Sequence, residues 1–284
     1  MIYLKNFRFP DKERELDYRI SFRMTCYNTM YPFFVLSERG LTSLDFEPIT
    51  ILYGGNGSGK TTALNIIAEK VGAQRDARYN RSEFFENYTK LCCFEQKDFP
   101  QEKKFLASDD VFDFMLNIRA FNEGAEENVK ELSEAYISLR ENKFTVRSLE
   151  DYEQLKQICD ARRLTESKFI SKYRIENIRE RSNGESAFSY FTQKIKNNGL
   201  YLLDEPENSL SPERQTELAR FLVDSARFYN CQFIIATHSP FLLAMRGAKI
   251  YDLDEEFADV KQWHQLKNVR EYYNFFKKHE EDFK

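Results

Sequence analysis

Three features of this 284-residue chain predict an α/β fold with an inserted helical lobe. An apolar β-type run, Ile49, Ile51, Leu52 and Tyr53, leads through a glycine-rich loop into a helix-like segment, Ala63 to Lys70. Two further apolar runs, Leu200 to Leu203 and Phe233 to Ala236, deliver polar residues at their carboxyl ends, where open parallel sheets place their ligand chemistry. Between the first run and these two, residues 122 to 180 hold one glycine and no proline, and apolar residues recur there at helical spacing.

Taken in chain order, Met1 to Phe9 lacks a signal-peptide pattern and reads as the first strand. The stretch Ile49 to Thr62 follows: Gly54, four residues, Gly59, Lys60 and Thr61. A strand, a glycine loop and a helix in that order are the setting a phosphate-binding loop requires. Its glycines let successive backbone N–H groups turn towards one point, where they and the positive end of the helix can hold phosphate oxygens. The candidate cradle is Gly54, Gly55, Asn56, Gly57, Ser58, Gly59, Lys60, Thr61 and Thr62. In it Lys60 would reach terminal phosphates and the Thr61 hydroxyl would ligate magnesium. A glycine-rich turn with a chance lysine is the plain alternative, and the flanking strand and helix argue against it.

Leu91 to Phe94 reads as a strand ending near Gln96, and Phe105 to Ala107 as another, before a helix-like Val111 to Phe121. The helical lobe is placed at 109–190. Leu132, Ala135, Tyr136 and Leu139 form one apolar set in it, and Leu149, Tyr152, Leu155, Ile158 and Cys159 a second. Two to four short helices fit this pattern; a long coiled coil does not, because sustained heptads are absent. Early acidic residues (Glu123, Glu126, Glu127, Glu131, Glu134) give way to basic ones such as Arg162, Arg163, Lys168 and Lys172, which solvated helix faces explain as well as a binding surface would.

Arg181 to Ser186 is a polar glycine turn opening a helix through Ile195, with Ser182 and Glu185 spaced as a capping box. The same helix start can hold an anion. Gly199 to Glu207 is a buried-strand run ending in Asp204 and Glu205. The first acid fits a residue that orients magnesium and the second a general base for a water. Neighbours on a strand point to opposite faces, so the strand must end here for both to serve one site, and Pro206 supplies an end. Gln232 to Pro240 carries His238 to a strand end, where it would donate a ring hydrogen bond to a γ-phosphate, although lone histidines there are commonly structural. Asn268 to Lys284 reads as an amphipathic closing helix docked on the core.

The order of glycine loop, Ser-Asn-Gly-Glu-Ser, Asp-Glu-Pro and Thr-His-Ser resembles the ABC-type ATPases, and within them the stand-alone ATPases of the SMC and DNA-repair branch. The resemblance covers roughly residues 1–120 and 175–284. It implies that Ser182, Gly184 and Glu185 are signature residues, that Asp204 and Glu205 are the Walker B acids, that Glu207 to Ser211 is the D-loop and that His238 is the switch histidine. It also implies a magnesium-touching residue between loop and signature, for which Asp109 is the candidate and Gln96 the runner-up; either could be a strand end or a helix cap. ATP and Mg2+ are the implied cofactors. The implied assembly is an ATP-dependent homodimer in which the signature turn of one copy completes the glycine loop of the other.

A net charge of −4 argues against a broad basic footprint for nucleic acid, so nucleic acid and a protein effector enter as possible partners through the resemblance alone. No apolar run approaches the roughly 20 residues that cross a bilayer. The five cysteines lack zinc-site spacing and read as reduced thiols, with Cys92 and Cys93 in a strand, which points to the cytoplasm. Three functions compete: an ATPase coupled to a nucleic-acid-associated or defence-type effector, the nucleotide-binding subunit of a membrane transporter, and a regulatory ATP-binding module with little turnover. Transporter-like signature wording is missing, and Glu205 speaks against a module without turnover.

Overall fold

The computed structural model describes residues 1–22, 29–76, 81–141, 152–173, 183–208, 210–255 and 257–284. In chain order the elements are β1 (Leu4–Arg8), α1 (Lys12–Ser21), β2 (Ser43–Asp45), β3 (Ile49–Tyr53), α2 (Lys60–Val71), β4 (Gln74–Arg75), α3 (Phe85–Leu91), β5 (Cys93–Gln96) and β6 (Glu102–Ala107). These are followed by α4 (Ser108–Glu141), α5 (Tyr152–Arg163), α6 (Glu166–Tyr173), α7 (Asn183–Lys194), β7 (Gly199–Asp204) and α8 (Pro212–Phe228). The chain closes with β8 (Gln232–Ala236), α9 (Pro240–Leu243), β9 (Lys249–Asp252), β10 (Asp259–Lys261) and α10 (Lys267–Lys278). It divides into two compact units, residues 1–112 with 182–284, and residues 113–181.

The first unit is built on a seven-stranded sheet in the order β10-β9-β3-β8-β7-β6-β4. All neighbours run parallel except β10 with β9. Every residue of β3 and β8 is buried, as expected of central strands covered on both faces. The helix α2, which the glycine loop feeds, is itself sunk in the core: Ala63, Leu64, Ile66, Ile67 and Ala68 are buried, and so are Thr62 and Asn65. The sequence places the loop strand and the acid-bearing strand far apart, and in the sheet they are not neighbours either. β8 lies between them, and a single row of the register runs Leu52, Ala236, Asp204, Ala107. That row brings the carboxyl ends of β3, β8, β7 and β6 to one edge.

A second, antiparallel sheet of order β2-β1-β5 packs in the same core through Leu4, Phe7 and Leu44. Gln232 joins the two sheets. Its Oε1 accepts from the backbone N–H of Tyr3 and of Leu4, both at 2.8 Å, and its Nε2 donates to the carbonyl of Leu4 at 2.8 Å. A fully buried amide is tolerated because those bonds satisfy it. Cys92 ends α3 and only Cys93 lies in a strand, which corrects the expectation for the pair. Burial pushes the Cys92 thiol up to about 12, so it is an inert core residue.

The second unit is helical, and its first helix is longer than the short segments the sequence suggested. α4 runs unbroken for 34 residues, on the order of 50 Å, because neither proline nor a capping signal interrupts it. Around its far end Tyr136, Ala161 and Phe169 are buried together, with Leu132, Leu139, Leu164 and Tyr173 against them. Phe169 lies 5.5 Å from the Tyr136 ring and 5.0 Å from that of Tyr173. Of the second expected apolar set, Leu149 lies outside the described residues.

The closing helix also differs from expectation. Only Val269 of α10 is buried, and Tyr272, Tyr273, Phe275 and Phe276 are exposed. Its start is pinned instead: the backbone N–H of Asn268 donates to Tyr53 Oη at 3.1 Å and its side chain to the His238 carbonyl at 3.0 Å. Beyond that turn the helix leaves the core.

Candidate nucleotide-binding site

The glycine loop occupies the edge defined by the Leu52 row. Gly54 is required by close approach, since a Cβ there would stand 2.5 Å from Ser58 Oγ. Gly59 is required by conformation: it caps α2 with φ of 94°, a region that side chains disfavour. Among the described residues the N–H groups of Asn56, Gly57 and Gly59 make no hydrogen bond to the protein, and Ser58 Oγ is buried without a partner. Unpaired donors around a space that Cβ atoms would narrow fit an anionic oxygen cluster at the amino end of a 12-residue helix. The loop is held from outside. Asp254 accepts from Gly55 N–H at 2.9 and 3.0 Å, and Arg39 Nη2 donates to the Gly57 carbonyl at 2.8 Å.

Lys60 is buried and its Nζ lies over the loop, donating to the carbonyls of Gly54 at 2.7 Å and Gly55 at 3.0 Å. Thr61 Oγ1 donates to Asp204 Oδ1 at 3.1 Å, which joins the amino end of α2 to the end of β7. Burial raises the Asp204 carboxyl to about 6, helped by the charge of Glu205, while the Thr61 hydrogen bond and Lys60 oppose the rise. Thr61 and Asp204 together offer the hard oxygen donors that magnesium takes.

Glu205 shows how two adjacent acids serve one site. The strand ends at Asp204, and Glu205 turns into the left-handed region with φ of 46°, a conformation that costs of order 1 kcal/mol or more for a residue with a side chain. Its N–H still donates to the Ala236 carbonyl at 2.9 Å, so the turn stays tied to β8. Asn208 Nδ2 donates to Glu205 Oε2 at 3.1 Å and approaches Ser108 Oγ at 3.4 Å. His238 Nδ1 lies 3.8 Å from Glu205 Oε1. Lys60, Thr61, Asp204, Glu205 and His238 are therefore brought to one edge.

Asp109 is exposed in the first turn of α4, directly after β6, whose Ala107 pairs with Asp204. Its neighbour Asp110 turns inward and accepts from Ala107 N–H at 2.7 Å. Gln96 sits in the antiparallel sheet, where its side chain donates to the Asp98 carbonyl. Ser182 lies outside the described residues; Gly184 and Glu185 fall in the first turn of α7. Sequence reasoning reached Asn208 only as part of the Glu207 to Ser211 segment that the resemblance implies, and did not single out Asp254 or Arg39.

Residues 169–244, which hold Gly184, Asp204, Glu205 and His238, match the family model described as "AAA domain, putative AbiEii toxin, Type IV TA system". That match spans 76 of the 284 residues. The chain has an α/β fold whose parallel sheet carries a strand, glycine loop and helix unit at its carboxyl edge. Similar solved structures include the Smc head domain from Pyrococcus furiosus bound to the C-terminal domain of ScpA, 13% identical, covering 82% of this chain and 95% of that one with a TM-score of 0.39. The SMC head domain from Thermotoga maritima is 12% identical over 88% of this chain and 94% of that one, with a TM-score of 0.36. A nucleotide-free ATP-binding cassette from an ABC transporter is 15% identical over 81% and 90%, also with a TM-score of 0.36. No match was found among curated proteins. Among the described residues no helix of the chain is long and apolar enough to cross a membrane.

Proposed function

We propose that the carboxyl edge of the seven-stranded sheet is a magnesium-dependent ATP-hydrolysing site that two copies of the chain close head to tail. The observation that carries this reading is the Thr61–Asp204 bond across the sheet edge, with Glu205 held in a left-handed turn beside His238. When bound, ATP supplies the anhydride to be split and Mg2+ neutralises charge on its phosphates.

The chain's own residues supply the rest. The free N–H groups of the loop and the amino end of α2 hold phosphate oxygens, and Lys60 leaves its loop carbonyls for the terminal ones. Thr61 and Asp204 would hold the metal, with Asp109 at the end of the neighbouring strand as a further candidate. Glu205 accepts the proton of the attacking water, and Asn208 fixes one of its oxygens so that the other is free to do so. His238 donates from its ring to the terminal phosphate. Ser182, Gly184 and Glu185 of a second copy complete the site, as the family resemblance implies.

Such a closure is favoured by terminal-phosphate contacts and lost on hydrolysis, which makes the nucleotide a reversible clamp. A nucleic-acid-associated or defence-type effector is the partner this reading assigns to the clamp, working in the cytoplasm. Sizing the Glu205→Gln and Lys60→Ala variants with and without Mg-ATP tests it. Glu205→Gln should become dimeric only with ATP and Lys60→Ala should stay monomeric; a Glu205→Gln chain that remains monomeric with ATP contradicts the proposal.

A further inference from the structure

Glu207 is a buried carboxylate that the reaction outlined above does not use. It is 6% exposed, and one of its oxygens accepts three hydrogen bonds from the turn that carries His238. Thr237 Oγ1 donates to Oε1 at 2.6 Å, His238 N–H at 2.9 Å and Ser239 N–H at 3.2 Å. The other oxygen, Oε2, is buried and has no partner among the described residues. His238 Nδ1 lies 3.5 Å from Oε1, nearer than it lies to Glu205.

Holding the turn does not by itself call for a charge. A neutral amide oxygen would accept the same three bonds, and a buried carboxylate is expensive unless something compensates it. The turn also has a brace that does not involve Glu207: Ser239 Oγ donates to Gln215 Oε1 at 2.6 Å while capping α9. Among the described residues the group paired with Glu207 that gains from its charge and lies at the site is the imidazole of His238. Which ring nitrogen serves a ligand is set by the hydrogen bond the other nitrogen makes.

The geometry points to Glu207 as the positioning residue for His238. It fixes the backbone of residues 237–239 and draws Nδ1–H of the ring inward, so that Nε2 is the nitrogen left for the ligand. This rests on the ATPase reading for its kinetic arm only, since the ring can also be observed in protein without nucleotide.

The test uses the full chain as wild type, Glu207→Gln, His238→Ala and the double variant. Glu207→Gln keeps the volume and the acceptor for the turn and removes the charge. It should melt with the wild type, keep KM for ATP within about twofold and lose at least about tenfold in kcat. The double variant should be no slower than the worse single variant, because both changes break one interaction. In nucleotide-free protein the 15N signals of the His238 ring should move between wild type and Glu207→Gln, whereas a carboxylate that only braces the turn would leave them in place. Wild-type kcat and unmoved ring signals in Glu207→Gln, or losses that multiply in the double variant, would overturn the assignment. An inactive wild type with moved ring signals would instead count against the ATPase reading alone.

Discussion

Replacing Asp204 by Asn should stabilise the nucleotide-free protein while it destroys magnesium binding. Asp204 is partly exposed at the end of β7, and loss of surrounding water is the largest reason its carboxyl stands at about 6 instead of its ordinary 3.8. A rise of that size corresponds to a penalty of up to about 3 kcal/mol on the ionised form in the folded chain. The folded state binds more protons than the unfolded one between these two values, so stability is highest at low pH and is lost as pH rises through about 6. An Asn side chain carries no such charge and can still accept from Thr61. The melting temperature of Asp204→Asn should therefore match the wild type near pH 3, begin to exceed it as pH rises past about 4, and show the full gap above pH 7. At roughly 2–4 °C per kcal/mol the gap is at most about 6–12 °C. Melts in a chelator across this range measure it. A variant less stable than the wild type at pH 8, or a difference that does not change with pH, would refute the reasoning.

Two further outcomes follow from the packing. Gly54→Ala places a methyl group against Ser58, so ATP binding should fall by at least about tenfold with the circular dichroism spectrum unchanged, as titration with a fluorescent nucleotide would show. Phe169→Ala empties the centre of the helical unit and should cost that unit about 3–5 kcal/mol, visible as an earlier loss of helical signal, while nucleotide titration of the first unit stays near wild type.

Much of the sheet edge was legible in the sequence because it is built from local signals. The run from Ile49 to Thr62 contains its own strand, turn and helix start, and Asp204, Glu205 and His238 each follow an apolar strand. Adjacency in the sheet was not legible. That β8 separates β3 from β7, which sets His238 between the loop and the acids, is a pairing of residues far apart in sequence. Glu205 was read as a strand-end acid, but its left-handed backbone is imposed by the tie to Ala236 and not by its residue type. The length of α4 was missed because charged residues at Glu123 to Glu134 interrupt the apolar pattern without breaking a helix. The exposed face of α10 was missed because a strong apolar stripe says that something should cover it and not what does. The bonds of Asp254 and Arg39 to the loop join residues about 199 and 18 positions apart, which no spacing rule anticipates.

The most direct measurement is single-turnover phosphate release from bound ATP by wild type and Glu205→Gln at equal nucleotide occupancy. Wild type should release phosphate, and Glu205→Gln should retain intact ATP with its rate lowered by about a hundredfold or more. Equal rates in the two proteins would mean that the acid at the end of β7 does not activate the water, and the account of this edge as a hydrolytic site would be wrong.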